Sequence, residues 1–543
     1  MKRILLIILI LLSTYFLYTT KGSKKVEQYA YIVGETEASQ MPSKTSNYVF
    51  DFGECTNGAT LEWDYNSWEP VVLNLTSSRT KCSIHFTENK YKENILNGTD
   101  PVYNDNLIPV IVSSDGSVRV ANISKEWYNY EDHKWANAII LKDNNKKVHT
   151  NEIIKEEDIE SYFVWIPRFA YKVKDMGNYT TVTSVTSKES SFDIEFENIT
   201  SPKRTATNVG DYHSHPAFQS FNTNGFWVGK FETGNNADVT HNDIVPNEIQ
   251  IKPNVQSWRN IQAANAFYNA YNYKQVNGAH NEELDPHMMK NTEWGAVAIL
   301  TNTKYGRYNS DGTCIQGGCE VRMNNNSDYY TGYAAINAPT CGFTGDNQPC
   351  NVFSTSSTET TPWNTDVGTL ASTTGNTTGI YDMSGGAWEY VMGILLDSTN
   401  TEPVSGRSNL FNSGFKGKFG CPACDNDTVT EKTTGLDWPD NKYYDTYYYA
   451  NTNATFIQNT LGDMTIENGP FELKTYHKID GEEVTRSVSS WYSDFSQYIY
   501  NGQPWFVRGG YIAKGTYNGI FAYSDVTGDK YSYMSFRIVL SPE

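Results

Sequence analysis

The stretch of sequence that decides the fold is GIYDMSGGAWEY, residues 379–390. It predicts a glycine-containing turn that ends on Trp388 and Glu389. Two further motifs lie nearer the C-terminus, VRGGY at residues 507–511 and SFRIV at residues 535–539. Each carries an arginine in an apolar run of the kind found in strands. We therefore expect two strands to follow the turn.

Three more motifs precede the turn. GFWVGKFET, residues 225–233, predicts an apolar strand followed by a turn. SWRN, residues 257–260, opens a predicted amphipathic helix, since apolar side chains then recur at three and four residues. HMMKNTEWGAVAIL, residues 287–300, predicts a second helix with Asn291 as its N-cap. Two helices on a strand-rich background indicate the α+β class.

The order of these six motifs resembles the formylglycine-generating-enzyme family, also called the sulfatase-modifying-factor family. The resemblance covers about residues 160–543. It implies a C-type-lectin-like C-terminal domain with long insertions at residues 301–378 and 394–500.

The enzymes of that family oxidise a sulfatase cysteine to formylglycine with copper held by two cysteines. In the family, those cysteines lie between the Arg-Gly-Gly strand and the final arginine. Here the same interval, residues 511–535, contains no cysteine. A copper–thiolate site cannot form without thiolates, so we expect no catalysis.

Other proteins with this fold use it to bind ligands, and in targets of diversity-generating retroelements the same interval forms the variable ligand face. The resemblance thus implies ligand contacts at Tyr511, Lys514, Tyr517, Asn518, Phe521, Tyr523, Ser524 and Asp525. Tyrosine supplies contact area at low entropic cost, and Asn, Ser and Asp supply adaptable hydrogen bonds. The alternative is an ordinary aromatic-rich β surface.

The resemblance implies no cofactor except a possible structural calcium ion. Glu389 aligns with a glutamate that contributes to such a site, where backbone carbonyls complete the oxygen shell. Gly386 stands where relatives usually have asparagine. The alternative is a buried Glu389 beside Trp388 that is hydrogen-bonded to the backbone.

Eight cysteines fall into four close pairs, which predicts disulfides in an oxidising compartment. The pairs are Cys55 with Cys82, Cys314 with Cys319, Cys341 with Cys350, and Cys421 with Cys424. The last pair has the spacing of a redox motif, but it lacks the βαβ setting of such motifs, so we expect a local disulfide.

The N-terminus has the pattern of an export signal. Lys2 and Arg3 precede an uncharged run at residues 4–20. No small-x-small cleavage site follows it, which favours an uncleaved membrane anchor over a cleaved signal peptide. We expect the body of the protein outside the cell.

Between this segment and the C-terminal domain, composition predicts three regions. Residues 21–47 are polar and without periodicity, as in a stalk. Residues 48–90 alternate four strand-like runs with turns, which predicts a small β module stapled by its cysteine pair. Residues 101–159 are expected to be a connecting segment that leads into the C-terminal domain.

Composition excludes some partners and sites. The net charge of -19 disfavours nucleic acid, because such binding depends on Lys and Arg. His213 and His215 lie on the same side of an extended segment and would hold a metal only with a third ligand from elsewhere. No hydrolase motif of the Gly-x-Ser-x-Gly or His-Glu-x-x-His type occurs.

We therefore expect a bacterial surface-displayed ligand-binding protein, adhesin-like or receptor-like, without catalysis. Its ligand would be a protein or a glycan, and the N-terminal segment would contact the membrane. The alternatives are a formylglycine-generating-type oxidase or related metal-dependent oxygenase, and a structural component of the envelope such as an appendage subunit.

Overall fold

A computed structural model describes residues 48–52, 61–64, 69–73, 84–88, 95–173, 192–202, 212–235, 240–276, 284–336, 360–395, 412–416, 434–447, 462, 464, 494–495, 497–499, 503–513 and 518–542. The predicted hydrophobic segment and stalk, residues 1–47, lie outside them. None of the helices in the described ranges is long and apolar enough to cross a membrane.

The chain divides into two compact units, Met1–Ile95 and Leu96–Glu543. The described part of the first unit has four strands, which are β1 Tyr48–Phe52, β2 Leu61–Asp64, β3 Glu69–Leu73 and β4 Ile84–Glu88. They form two antiparallel pairs, β1 with β4 and β2 with β3. Each strand overlaps one of the four strand-like runs recognised in the sequence.

The second unit combines many short strands with two α-helices in its described part. The helices are α1 Ala263–Val276 and α2 Asn291–Thr301. The strands are β5 Ile108–Val112, β6 Val118–Val120, β7 Asn137–Leu141, β8 Ile153–Ile154, β9 Ile159–Pro167, β10 Phe169–Val173, β11 Phe192–Phe196, β12 His213–Ser214, β13 Gly225–Gly229, β14 Gly234–Asn235, β15 Ile249–Gln250, β16 Leu284–Met288, β17 Tyr333–Ala335, β18 Thr360–Pro362, β19 Trp388–Leu395, β20 Asp445–Tyr447, β21 Trp505–Arg508, β22 Tyr523–Val526, β23 Met534–Phe536 and β24 Ile538–Pro542. The predicted α+β class is confirmed.

The largest sheet has eight strands in the order β16-β24-β13-β9-β7-β5-β6-β8, and all neighbours are antiparallel. Its central strand, β9, is an apolar run that is almost entirely buried, as expected for a strand covered on both faces. Residues 101–159 supply β5 to β8. The segment that the sequence set apart as a connector is therefore integral to this sheet.

A second sheet brings together the three motifs quoted at the outset. Its order is β20-β19-β21-β22, and β23 pairs with β19. β19 begins at Trp388, β21 ends at Arg508, and the parallel β19–β23 register places Glu389 opposite Ser535. Arg537 separates β23 from β24, so it lies where the five-stranded sheet passes into the eight-stranded one.

Both predicted helices form, with corrected starts. α1 begins at Ala263 instead of near Trp258, and Asn260 before it has a left-handed φ of 62° that interrupts helical geometry. The N-cap of α2 is Lys290 and not Asn291. Glu293 accepts the Lys290 N–H at 2.8 Å, while the Asn291 amide is engaged elsewhere.

Candidate functional site: a tyrosine–arginine face above buried carboxylates

Four residues expected to contact a ligand are buried, namely Asn518, Phe521, Tyr523 and Asp525, each at most 3% exposed. β22 pairs with β21, and the Tyr523 ring packs edge-on against Phe506. The Phe521 ring stacks on Phe192 with centroids 5.9 Å apart. The prediction that these four residues contact a ligand is therefore wrong. Their side chains have almost no exposed surface, so they pack in the protein core and offer no contact area to a ligand.

The other predicted ligand residues have different outcomes. Tyr511 and Ser524 are half-buried. Lys514 and Tyr517 lie outside the described residues. Of the predicted set, Tyr511 is the residue that the structure places in an aromatic cluster with exposed surface.

Three half-buried tyrosines form a stacked row. The Tyr511 and Tyr533 rings are 4.9 Å apart at 27°, and the Tyr533 and Tyr531 rings are 5.5 Å apart at 25°. Ser532, which separates the last two in sequence, is exposed. Burial raises the pKa of the Tyr533 phenol, with a further contribution from the two neighbouring phenols. The Tyr533 hydroxyl therefore keeps its proton to a higher pH than a free tyrosine.

An arginine and a fourth tyrosine adjoin this row. The Arg259 guanidinium lies 3.9 Å from the centre of the Tyr329 ring, and it donates a hydrogen bond to the Ser532 carbonyl. The Asn260 N–H donates to the Tyr531 carbonyl at 2.9 Å, which fixes the arginine segment to the row. We call Arg259, Tyr329, Tyr511, Tyr531 and Tyr533 the tyrosine–arginine face.

Backbone strain accompanies this face. Tyr329 has a φ of 60°, in the left-handed region that bulky residues disfavour, and Asn260 has a φ of 62°. The Ser257 N–H donates to the Tyr329 carbonyl at 3.0 Å and helps to hold the conformation. Strained residues of this kind concentrate at functional sites, so the strain at Tyr329 supports the choice of this face.

The buried carboxylate of Glu232 lies next to the tyrosine–arginine face. Glu232 has no exposed surface, accepts the Ala387 N–H at 2.9 Å, and accepts a hydrogen bond from the Ser257 hydroxyl. Burial first, then the negative charges of Glu389 and Asp382, raises its pKa well above the usual range. Burial and the neighbouring carboxylates therefore disfavour the charged form of Glu232.

The Glu232 carboxylate also explains Gly386. That glycine has a φ of +66°, and a Cβ there would lie 2.4 Å from Glu232 Oε1. An asparagine, usual in the resembling family, would collide with the carboxylate. The glycine at this position is thus a packing requirement of this chain.

Glu389 does not fit the expected calcium ion. Arg537 donates from Nε to Oε2 at 2.9 Å and from Nη2 to Oε1, so both oxygens of the Glu389 carboxylate are paired with a guanidinium cation. Burial raises the pKa of Glu389 to about 7, although Arg537 opposes this. In the described parts of the chain, no group of three or more His, Cys, Asp or Glu is arranged to hold a metal.

The Arg-Gly-Gly motif has a structural role. Arg508 is fully buried and donates to Asn291 Oδ1 at 2.8 Å. Gly509 and Gly510 have φ values of +85° and +86°. A Cβ on Gly510 would lie 1.8 Å from Asn518 Oδ1, so only glycine fits there.

One predicted disulfide lies within the described residues. Cys314 and Cys319 are bonded, with their Cα atoms 4.8 Å apart, as predicted. The other three pairs, Cys55 with Cys82, Cys341 with Cys350, and Cys421 with Cys424, lie outside the described residues.

Of the two histidines considered as metal ligands, His215 has a local structural role. This side chain is buried, its Nδ1 accepts the Ala217 N–H at 3.2 Å, and its Nε2 lies 2.9 Å from the Gly462 carbonyl. Burial lowers the pKa of His215 to about 3, so the ring is neutral. Both nitrogens are engaged, so neither is available to a metal.

Neither a protein-family model nor a curated protein sequence matches the chain. A proposal for the function of this protein therefore rests on the geometry of the site.

Sequence reasoning missed four of the five residues of the tyrosine–arginine face. Tyr531 and Tyr533 lay in the correct interval, and their alternation with Ser532 was the available signal. Tyr329 lay in a region expected to be an insertion. Arg259 lay in a motif interpreted as a helix start, and no local pattern pairs it with Tyr329.

Proposed function

We propose that the protein binds a ligand through the tyrosine–arginine face and does so without catalysis. The observation that carries the proposal is the contiguous set of four half-buried tyrosines and one stacked guanidinium. Tyr and Arg are the residues most enriched where binding energy concentrates, because they combine large contact area with hydrogen-bonding tips.

The surroundings suit binding in two further ways. The rings of Tyr511, Tyr533 and Tyr531 stack on one another and the guanidinium lies over the Tyr329 ring, so little side-chain entropy remains to be lost when a ligand arrives. The hydrogen bonds of Asn260 and Ser257 tie the Arg259 segment to the segments of Tyr531 and Tyr329. The side chains of this face are therefore preorganised before the ligand binds.

We place this face on a C-type-lectin-like fold of the formylglycine-generating-enzyme type. Support comes from the meeting of the three C-terminal motifs in one sheet. The absence of cysteine from residues 511–535 argues against the copper oxidase of that family. A diversified ligand face of the retroelement type is part of the proposal, with Tyr511, Tyr531 and Tyr533 inside the interval concerned.

We place the protein outside the cell, with the N-terminal segment as its membrane anchor or export signal. The Cys314–Cys319 disulfide supports an oxidising compartment. The N-terminal charge and hydropathy pattern supports export. The ligand is then a protein or a glycan that the cell meets at its surface.

The test is a binding screen with the full chain in mild detergent. The probes are a glycan array and an array of purified extracellular-matrix proteins. We expect at least one reproducible signal that is lost in the double variant Tyr511→Ser/Tyr533→Ser.

Tyr271→Ser is the matched control, since Tyr271 is 39% exposed on α1 and belongs to a different aromatic cluster. The control should keep the signal. Signals retained by a folded double variant, or the absence of any signal on both arrays, would overturn the proposal.

A further inference from the structure

We propose that the ligand of the tyrosine–arginine face is a glycan with a single carboxylate-bearing sugar, such as a sialic or uronic acid, whose carboxylate pairs with Arg259. This inference rests on the proposed function and names the ligand class. It follows from the charge, the hydrogen-bonding state and the neighbours of Arg259.

Within the described part of the chain, Arg259 is a cation that makes no salt bridge with a carboxylate. Its guanidinium donates a hydrogen bond to the uncharged Ser532 carbonyl. Arg259 is half-buried, and the hydrogen bond to Ser532 uses only one of its nitrogens, Nη1. A guanidinium has five N–H donors and binds carboxylates in a two-point fork, so Arg259 retains the capacity to bind an anion.

The nearby buried side chain of Glu232 does not form a salt bridge with Arg259. Burial lowers the pKa of Arg259, and the neighbouring Tyr329 and Glu232 oppose this shift. The Glu232 carboxylate already accepts hydrogen bonds from Ser257 and Ala387. Stacking on Tyr329 holds the guanidinium plane in place. A carboxylate that arrives with a ligand would therefore meet a positive charge that has no salt-bridge partner among the described residues.

The charge of the whole chain limits how acidic the ligand can be. The net charge of -19 repels polyanions, while a single carboxylate beside one arginine is attracted at short range. A sulfated or otherwise polyanionic chain is therefore disfavoured. A ligand with one acidic group fits both the local and the overall charge.

The tyrosines favour a sugar over an acidic peptide. Tyr511, Tyr531 and Tyr533 combine phenol hydroxyls with flat aromatic surface. The Tyr531 hydroxyl lies 3.1 Å from Thr527 Oγ1, and the exposed Ser532 adds a further hydroxyl. Sugar hydroxyls pair with such hydroxyls, and the apolar face of a sugar ring packs on aromatic carbon. An acidic peptide would use the arginine but leave this hydroxyl row without matching partners.

The experiment measures binding of four probes to the full chain by saturation-transfer NMR and titration. They are the methyl glycosides of N-acetylneuraminic acid and glucuronic acid, the methyl ester of the latter, and a short glutamate-containing peptide. We expect one of the acid sugars to bind at least about tenfold more tightly than the uncharged ester, because charge-assisted hydrogen bonds are lost in the ester.

Arg259→Gln should remove the preference for the acid, and Arg259→Lys should restore part of it. Arg119→Gln is the control, because Arg119 is an exposed arginine on β6. Equal binding of acid and ester, tighter binding of the peptide, or no binding of either acid sugar would overturn the inference. Because the acid–ester comparison uses the wild-type chain, it decides the matter even if Arg259→Gln fails to fold.

Different results would contradict the proposed binding function and the acidic-sugar inference. If a neutral glycan or a protein on the arrays binds and depends on Tyr511 and Tyr533, the binding function stands and the acidic-sugar inference falls. If nothing binds through the face, both fall.

Discussion

At the residue scale, the second unit contains ionisable groups whose burial sets a pH dependence. Glu160 accepts a hydrogen bond from the Tyr273 hydroxyl at 3.2 Å. Desolvation nevertheless raises its pKa from 4.5 to about 8. Since the folded state holds this proton more tightly, the stability that Glu160 contributes is complete at low pH. This contribution to stability is lost as the pH rises from 4.5 to about 8.

We expect Glu160→Gln to flatten this loss, because the amide keeps a hydrogen-bonding oxygen and cannot ionise. Between about pH 5 and pH 8 the wild type should lose about 1–2 kcal/mol relative to the variant, a figure reduced for solvent screening. Urea unfolding at both pH values measures the difference. Glu157→Gln, at an exposed position, is the control and should leave the slope unchanged. A wild-type slope in Glu160→Gln would contradict the assignment.

Gly510 offers a second test at the residue scale. Gly510→Ala should destabilise the protein by at least about 2 kcal/mol, because the new Cβ meets Asn518 Oδ1 in addition to the strain of a positive φ. Gly318→Ala is the matched control, since Gly318 also has a positive φ but a Cβ there would meet no atom of the described residues within 4 Å. Urea titration compares them. Equal losses would show that contact with Asn518 is unimportant.

At the scale of elements, the strand β22 separates core from surface. Tyr523 is buried and Ser524 is half-buried on the same strand. Tyr523→Ala should cost about 3–5 kcal/mol, as for other large core truncations, whereas Ser524→Ala should change stability by less than about 0.5 kcal/mol. Chemical denaturation checks both. A near-neutral Tyr523→Ala would instead place this residue on a ligand surface, as the sequence predicted.

The predictions from sequence succeeded where a local pattern carries the information. Apolar runs with turns predicted the strands of the first unit and β13, three-and-four spacing predicted α1, and the run at residues 287–300 predicted α2. They failed where only tertiary packing decides. Tyr523 and Tyr533 are the same residue type in the same interval, yet pairing of β22 with β21 buries one and leaves the other half-exposed. Likewise, nothing local pairs Arg259 with Tyr329, which is 70 positions away in sequence.

At the scale of the whole molecule, the cysteines report on the compartment. We expect all eight to be oxidised in the protein isolated from cells, with Cys314–Cys319 as the pair the structure contains. Labelling with a thiol reagent after unfolding, without reductant, measures this. Uptake of two or more labels would contradict both the pairing and the proposed location, and reduction before labelling is the positive control.

The proposed binding function is tested most directly at Tyr533, the middle ring of the stacked row. For the tightest ligand found on the arrays, the dissociation constants of wild type and Tyr533→Ala are compared by titration calorimetry, with equal melting temperatures as the condition. An aromatic residue at the centre of an interface contributes about 2 kcal/mol, so we predict a loss of affinity of roughly thirtyfold. An unchanged dissociation constant in a folded Tyr533→Ala protein would contradict the claim that this face binds the ligand.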